Sequence, residues 1–236
     1  MSYAGSLALD PRPVAEADAN TRGLFIAKTY NHLLGAIGAF TVIEIALFKL
    51  GVAESMTRAM MGSRFAWIAV LGGFMLVSWI ASSVAHKVTS KPMQYAALGG
   101  YVVAEAITFV PLLWIANRFA PGVIQSAVLV TALGFGGLTL VAFMTRKDFS
   151  FLGGLLRFIG ICALGGIAAS IFFGFTLGTW FSVAMIAFAG GAILYNTSGI
   201  LHHYPEDRYV AASLELFASV ALLFWYVLRL FMSSRD

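Results

Sequence analysis

Four ionisable residues, Glu44, Glu105, Arg157 and Glu215, sit inside long apolar runs of this 236-residue chain. A charge at membrane depth is costly and usually faces a bundle interior, a watery cavity or a partner, so chemistry is sought here first. Glu105 shares a helical face with Tyr101 and Thr108, at spacings that bring side chains together. Glu215 shares one with Ala211, Ala212, Ala218 and Ser219, a narrow strip of small residues suited to burial against other helices. Arg157 lies about two turns into its run and can either pair or snorkel to the nearer surface. Glu44 is about a turn and a half from Lys49 and is expected to snorkel to the interface there. For Glu105 and Glu215 two readings stand. One is a functional polar cavity; the other is structural, either a buried pair with Arg157 or a hydrogen-bonded protonated acid.

Asn196-Thr197-Ser198 adds an uncharged polar cluster beside His202 and His203. Adjacent histidines on one helix point about 100° apart and make a poor chelate. Ser82 and Ser83 read as ordinary helix residues with no nearby base. No zinc-protease helix, phosphate-binding glycine loop or serine elbow is present in the sequence. No catalytic residue, metal site or cofactor is therefore expected. Cys162, the sole cysteine, excludes an intrachain disulfide and is expected as a small buried side chain.

The elements that hold these residues follow from composition. Hydrophobic residues make up 60% of the chain and charged residues 11%, against about 25% charged in a soluble domain. Apolar runs of roughly 20 residues recur between short polar stretches, the length a helix needs to cross a bilayer. Lipid requires internally hydrogen-bonded backbone, and the runs lack barrel alternation, so the fold class is all-α and polytopic with seven spans. They are placed at Leu24–Leu50, Phe65–Ala85, Met93–Ala116, Val123–Met144, Phe151–Phe173, Thr179–Leu201 and Tyr209–Phe231. Residues 1–22 read as a flexible polar tail and 23–233 as the seven-helix transmembrane domain. The first span is expected to act as the uncleaved targeting signal. Gly51 to Arg64 is the longest loop, and the short loops elsewhere make sequential spans antiparallel neighbours. Glycine pairs at 72–73, 99–100, 136–137, 153–154, 165–166 and 190–191 are expected to bring helix backbones close. Pro111 is expected to kink the third span.

The net charge of +4 does not indicate nucleic acid, because the basic residues flank spans rather than form one patch. Arg12, Arg22, Lys28, Lys87, Lys91, Arg146, Lys147 and Arg208 lie on the N-terminal side, against Lys49, Arg58, Arg64, Arg118 and Arg235 opposite. That bias places the N-terminus in the cytoplasm.

Thr145-Arg146-Lys147-Asp148-Phe149-Ser150-Phe151-Leu152-Gly153-Gly154 resembles the stretch joining the fourth and fifth spans in the Bax inhibitor-1 family, also called the transmembrane BAX inhibitor motif family. A second match is Gly191-Ala192-Ile193-Leu194-Tyr195-Asn196-Thr197-Ser198, followed by Ile200, His202 and Tyr209. A third is Ala212-Ser213-Leu214, and Ser234-Arg235-Asp236 is similar to the bacterial YccA-like branch. The resemblance implies six helices around a central seventh, in the inner membrane. It also implies one of two roles, a proton-sensitive calcium leak or modulation of a membrane-anchored ATP-dependent protease. The leak relies on one acid in the sixth span and one in the seventh, which map here to Asn196 and Phe217. An amide and a phenyl ring can neither share a proton nor bind a divalent cation. Glu215 lies two residues earlier, about 200° round the helix, and is not expected to stand in.

The expected role is thus regulation of a membrane partner such as the protease. A leak for Ca2+ or another cation, served by Glu105, Glu215 and Arg157, is the alternative. The expected partners are the lipid bilayer and that membrane protein or cation. Glu215→Leu is expected to perturb the protein more than Glu44→Leu, and equal thermal stability and activity of the two variants would reject that ordering.

Overall fold

Asp18 starts the first long helix, its carboxylate accepting the backbone N–H groups of Asn20 at 2.8 Å and Thr21 at 3.0 Å, a side-chain cap for otherwise orphaned donors. The computed structural model describes residues 13–233, the side chain of Arg64 excepted. Its helices are α1 (Ala19–Lys49), α2 (Val52–Met61), α3 (Arg64–Lys87), α4 (Lys91–Phe119), α5 (Val123–Thr145), α6 (Leu152–Phe173), α7 (Thr179–His202) and α8 (Tyr209–Ser233). Seven of the eight, all but α2, are long and apolar enough to cross a membrane. No strand occurs among the described residues.

The seventh span, α8, is the most buried. It packs against α1, α3, α4, α5 and α7. Phe217 and Leu216 anchor it in one cluster with Phe25, Leu33 and Tyr101. Leu223, Val227 and Leu228 anchor it in a second with Phe109 and Ile193. Phe109 is the hub of the second cluster, edge-on to Phe40 at 5.1 Å and Trp225 at 4.9 Å and stacked on Phe224 at 5.6 Å. Aromatic pairs in these geometries add attraction beyond the area they bury.

Several expectations are corrected. The Gly51–Arg64 stretch is not a loop. Gly51, at φ 71°, turns the chain into α2, whose Ala53, Thr57 and Met60 are buried at spacings of four and three, while Glu54 and Arg58 pair on its exposed face. An amphipathic helix of this length is too short to span, and α2 instead packs against α1, α3 and α4 at one end of the bundle.

Residues 1–12 of the expected tail lie outside the described residues. Within residues 13–22, Val14 is fully buried, and its N–H donates to the Tyr204 carbonyl at 2.9 Å. Sequential spans are not always neighbours, because α6 packs on α7 and makes little contact with α5. Of the glycine pairs, close approach occurs at Gly153, where an added Cβ would lie 2.9 Å from Tyr195, and at Gly190 and Gly191. Gly72, Gly73, Gly99, Gly100, Gly136, Gly137, Gly165 and Gly166 face open space. Cys162 is exposed on α6 rather than buried, since α6 meets the bundle along one face only. The fourth helix runs on through Pro111, which is buried.

Glu44 does not snorkel. It is 6% exposed, and both carboxyl oxygens lack a hydrogen-bond partner among the described residues. The fold buries it, because α1 packs on α8, α4 and α2. A buried polar group without a partner is destabilising by roughly 1–3 kcal/mol. Glu44→Leu is therefore expected to raise the unfolding temperature in detergent, and a lower one would contradict this account of the site.

Candidate polar cavity

Glu215 lies about two turns into α8, on the side facing α3. Ser82 Oγ donates to its Oε1 at 3.0 Å, and His86 Nε2 lies 3.1 Å from the same oxygen. Ser82 and His86 are four apart on α3, so their side chains stack on one face. Ser82, expected as an ordinary helix residue, is thus a partner of Glu215, and His86 was not singled out; only their spacing of four near the end of an apolar run could have signalled them. From the opposite side, Asn196 Nδ2 on α7 donates to the Glu215 carbonyl at 3.1 Å and to Ser219 Oγ at 2.9 Å. Ser219 Oγ donates to that same carbonyl at 2.9 Å. Two helices thus grip one turn of α8.

On α4, Tyr101 OH donates to Glu105 Oε1 at 2.9 Å. Glu105, Arg157, Asn196 and Glu215 all line one cavity of about 380 Å³. Its walls come from α3 (Phe74), α4 (Tyr101, Glu105), α6 (Leu156, Arg157), α7 (Tyr195, Asn196) and α8 (Glu215, Ala218, Ser219). A second cavity of about 430 Å³ lies beside it toward the N-terminal end, lined by His86, Ser150, His203 and Tyr204 and sharing Tyr195 and Asn196 as a common wall. Arg157 is exposed and makes no ion pair among the described residues. The expected pairing of Arg157 with a buried acid is therefore not formed. Space of this size with several convergent polar groups suits water.

Phe217 turns away. It is 2% exposed and packs on Phe40 at 6.2 Å and Tyr101 at 6.1 Å. Glu215, which the helical-wheel argument set aside, is the α8 acid that shares a cavity with Asn196. The turn of helix that Asn196 clasps brings the Glu215 side chain into the cavity and leaves Phe217 in the core.

The first two of the three sequence matches with the Bax inhibitor-1 family form one structural unit at the N-terminal end. Ser198 Oγ on α7 accepts the Phe149 N–H at 2.9 Å. Asp148 Oδ1 accepts the Ser150 N–H at 2.8 Å, and His203 Nε2 lies 3.0 Å from Asp148 Oδ2. The turn leaves α5 through Arg146 at φ 50°. Asp148 is held below the usual carboxylate range, at about 2, first by the Ser150 backbone N–H and then by His203 and the Ser150 hydroxyl. His202, by contrast, points into the protein with Nε2 buried and unpaired among the described residues.

Seven spans, five of them packed on the central α8, with Glu105, Arg157, Asn196 and Glu215 lining one cavity, define a polytopic α-helical membrane protein. The chain belongs to the Bax inhibitor-1 family: the family model described as inhibitor of apoptosis-promoting Bax1 matches residues 22–236. It is 29% identical over 236 residues to Bax inhibitor 1 of Schizosaccharomyces pombe, covering 92% of this chain and 79% of that one. It is 38% identical over 110 residues to an uncharacterized protein of Pseudomonas aeruginosa, covering 46% of this chain and 49% of the relative. It is 37% identical over 116 residues to the modulator of FtsH protease YccA of Escherichia coli, covering 45% and 52%. These two bacterial matches set it with the YccA-like branch, and the matched stretch spans about half the length of each. No solved structure matches.

The Asp148 contacts carry a pH signature. A depressed folded-state pKa contributes stability that is present above the unfolded value, about 4, and lost as pH falls toward 2. Asp148→Asn is expected to lower thermal stability at pH 7, with the gap to wild type closing between pH 4 and pH 2. A gap that stays constant across that window would contradict the assignment.

Proposed function

We propose that this chain is a regulatory protein of the inner membrane that modulates a membrane-anchored ATP-dependent protease. The observation that carries this reading is the 37% identity over 116 residues to the modulator of FtsH protease YccA. The cavity chemistry is compatible with a non-conducting role, because Asn196 and Phe217 stand where a proton-sharing acid pair would be needed. We also read the chain as non-enzymatic. Ser82 donates to Glu215 rather than to a histidine base. It lies in a helix interior, whose N–H groups are already taken by the preceding turn and are not free to hold an oxyanion.

A second reading, a leak for Ca2+ or another cation, is favoured by the meeting of Glu105, Asn196 and Glu215 in one cavity. Carboxylate, amide and hydroxyl oxygens are the ligands such cations take. The N-terminal orientation deduced from flanking lysines and arginines places the adjoining vestibule, with His86 and His203, on the cytoplasmic side.

Reconstitution tests both readings. Proteoliposomes holding a membrane-anchored ATP-dependent protease and a membrane-protein substrate are expected to degrade that substrate at a different rate when this chain is included. An unchanged rate, with no co-purification of the two proteins, would reject the regulatory role. In liposomes loaded with a calcium dye, flux above empty vesicles that Glu105→Gln and Glu215→Gln abolish would support the leak instead. No flux at any pH would exclude it.

A further inference from the structure

Three helices converge on the ring of Tyr209 at the N-terminal end of the bundle. Lys28 Nζ of α1 lies 5.3 Å from the ring centroid, and Lys91 Nζ of α4 lies 4.3 Å from it. His32, one turn on from Lys28, lies 5.1 Å from the Tyr209 ring and 5.4 Å from that of Tyr95. Its Nε2 is 3.1 Å from Tyr95 OH, which in turn is 3.3 Å from Tyr209 OH. Neither lysine has a carboxylate partner within ion-pair distance among the described residues. Lys91 donates to the Asp207 backbone carbonyl, and the Asp207 carboxylate goes to Arg208 at 3.5 Å. Two ammonium groups thus approach one aromatic ring, with the Asp207 carboxylate near Lys91 but paired to Arg208.

The depth is informative. Lys91 opens α4 and Tyr209 opens α8, so the cluster lies where spans leave the hydrocarbon, at the level of lipid phosphates. Lys28 and Tyr95 are exposed on the outside of the bundle. Directly deeper, the next turns of the same two helix faces carry Gly35 on α1 and Gly99 on α4. An added Cβ at either would meet open space. A cationic, hydroxyl-bearing rim therefore stands above a shallow, glycine-lined strip along two adjoining helices.

We propose that Lys28, Lys91, Tyr95 and Tyr209 bind the phosphate of an anionic phospholipid in the leaflet on the N-terminal side, with one acyl chain laid along Gly35 and Gly99. The two ammonium groups supply the charge, the tyrosine hydroxyls donate to phosphate oxygens, and the glycines leave room for the chain. A phospholipid fits this better than a free anion, since only a lipid uses the strip and the rim together. Anchoring at this point clamps α1 and α4 to α8.

Native mass spectrometry of the delipidated full chain, with phosphatidylglycerol or phosphatidylcholine added back, tests the site. Wild type is expected to retain phosphatidylglycerol about thirtyfold better, on the order expected for two basic residues at an anionic surface. Lys28→Gln with Lys91→Gln is expected to abolish the preference, and the paired arginine substitutions to keep it. Gly99→Leu, which removes no charge, is expected to lower phosphatidylglycerol retention, and it carries the test if the double glutamine variant fails to fold. Equal retention of the two lipids by wild type would overturn the proposal, as would unchanged phosphatidylglycerol retention in the Gly99→Leu variant. Displacement of phosphatidylglycerol by millimolar inorganic phosphate would also overturn it, by showing a free-anion site.

Discussion

Lipid offers no hydrogen bonds, so each polar group carried into the hydrocarbon must find its partner on another helix or in enclosed water. In this protein that constraint is met on the central span. The Glu215 carboxylate is held by Ser82 and His86 of α3, and the Glu215 carbonyl is held by Asn196 of α7. Those contacts fix α8 in rotation. With Glu215 turned between α3 and α7, Phe217 faces α1 and α4, and Ala218 and Ser219 face the cavity. Of the small-residue strip noted on α8, Ala218 and Ser219 line the cavity, while Ala211 and Ala212 lie in the packed core.

The same constraint explains how the N-terminal end is built. The turn between α5 and α6 is closed onto α7 by Ser198 and His203, and Arg208 donates to the Val88 carbonyl at 2.6 Å to close the α3–α4 turn onto α8. Polar loop residues here do the work that apolar packing does deeper down. The Tyr30 hydroxyl of α1 is directed toward Thr139 of α5 and Thr197 of α7. Glu44 is the counter-example, a carboxyl that the fold buries without a partner among the described residues.

The spans were legible because their signal is local: length, apolarity and the absence of alternation suffice. So was the depth of Glu105, Arg157, Asn196 and Glu215, which follows from their positions within each run. What joined them was not legible. Ser82 and His86 reach Glu215 from more than a hundred residues away, and nothing in the local pattern of α3 names its partner. The helix α2 was missed because its ten residues are amphipathic, and a hydropathy reading sized for spans averages such a segment into a loop. Glu44 was misplaced because its exposure depended on which helices pack on α1, which its spacing from Lys49 does not show. The Glu215 and Phe217 question turned on a helix rotation that the sequence positions alone left open.

The central claim is that the polar groups around α8 enclose space that water reaches from the N-terminal end. Cysteine accessibility tests it directly, in a Cys162→Ala background that removes the exposed native thiol. Ala218 lines the cavity, and Ala221, nearly one turn further along, lies in the packed core. A small membrane-impermeant thiosulfonate is predicted to modify Ala218→Cys in intact proteoliposomes from the N-terminal side and to leave Ala221→Cys untouched. Protection of both positions would contradict a water-filled cavity, and equal modification of both would contradict the packing that bounds it.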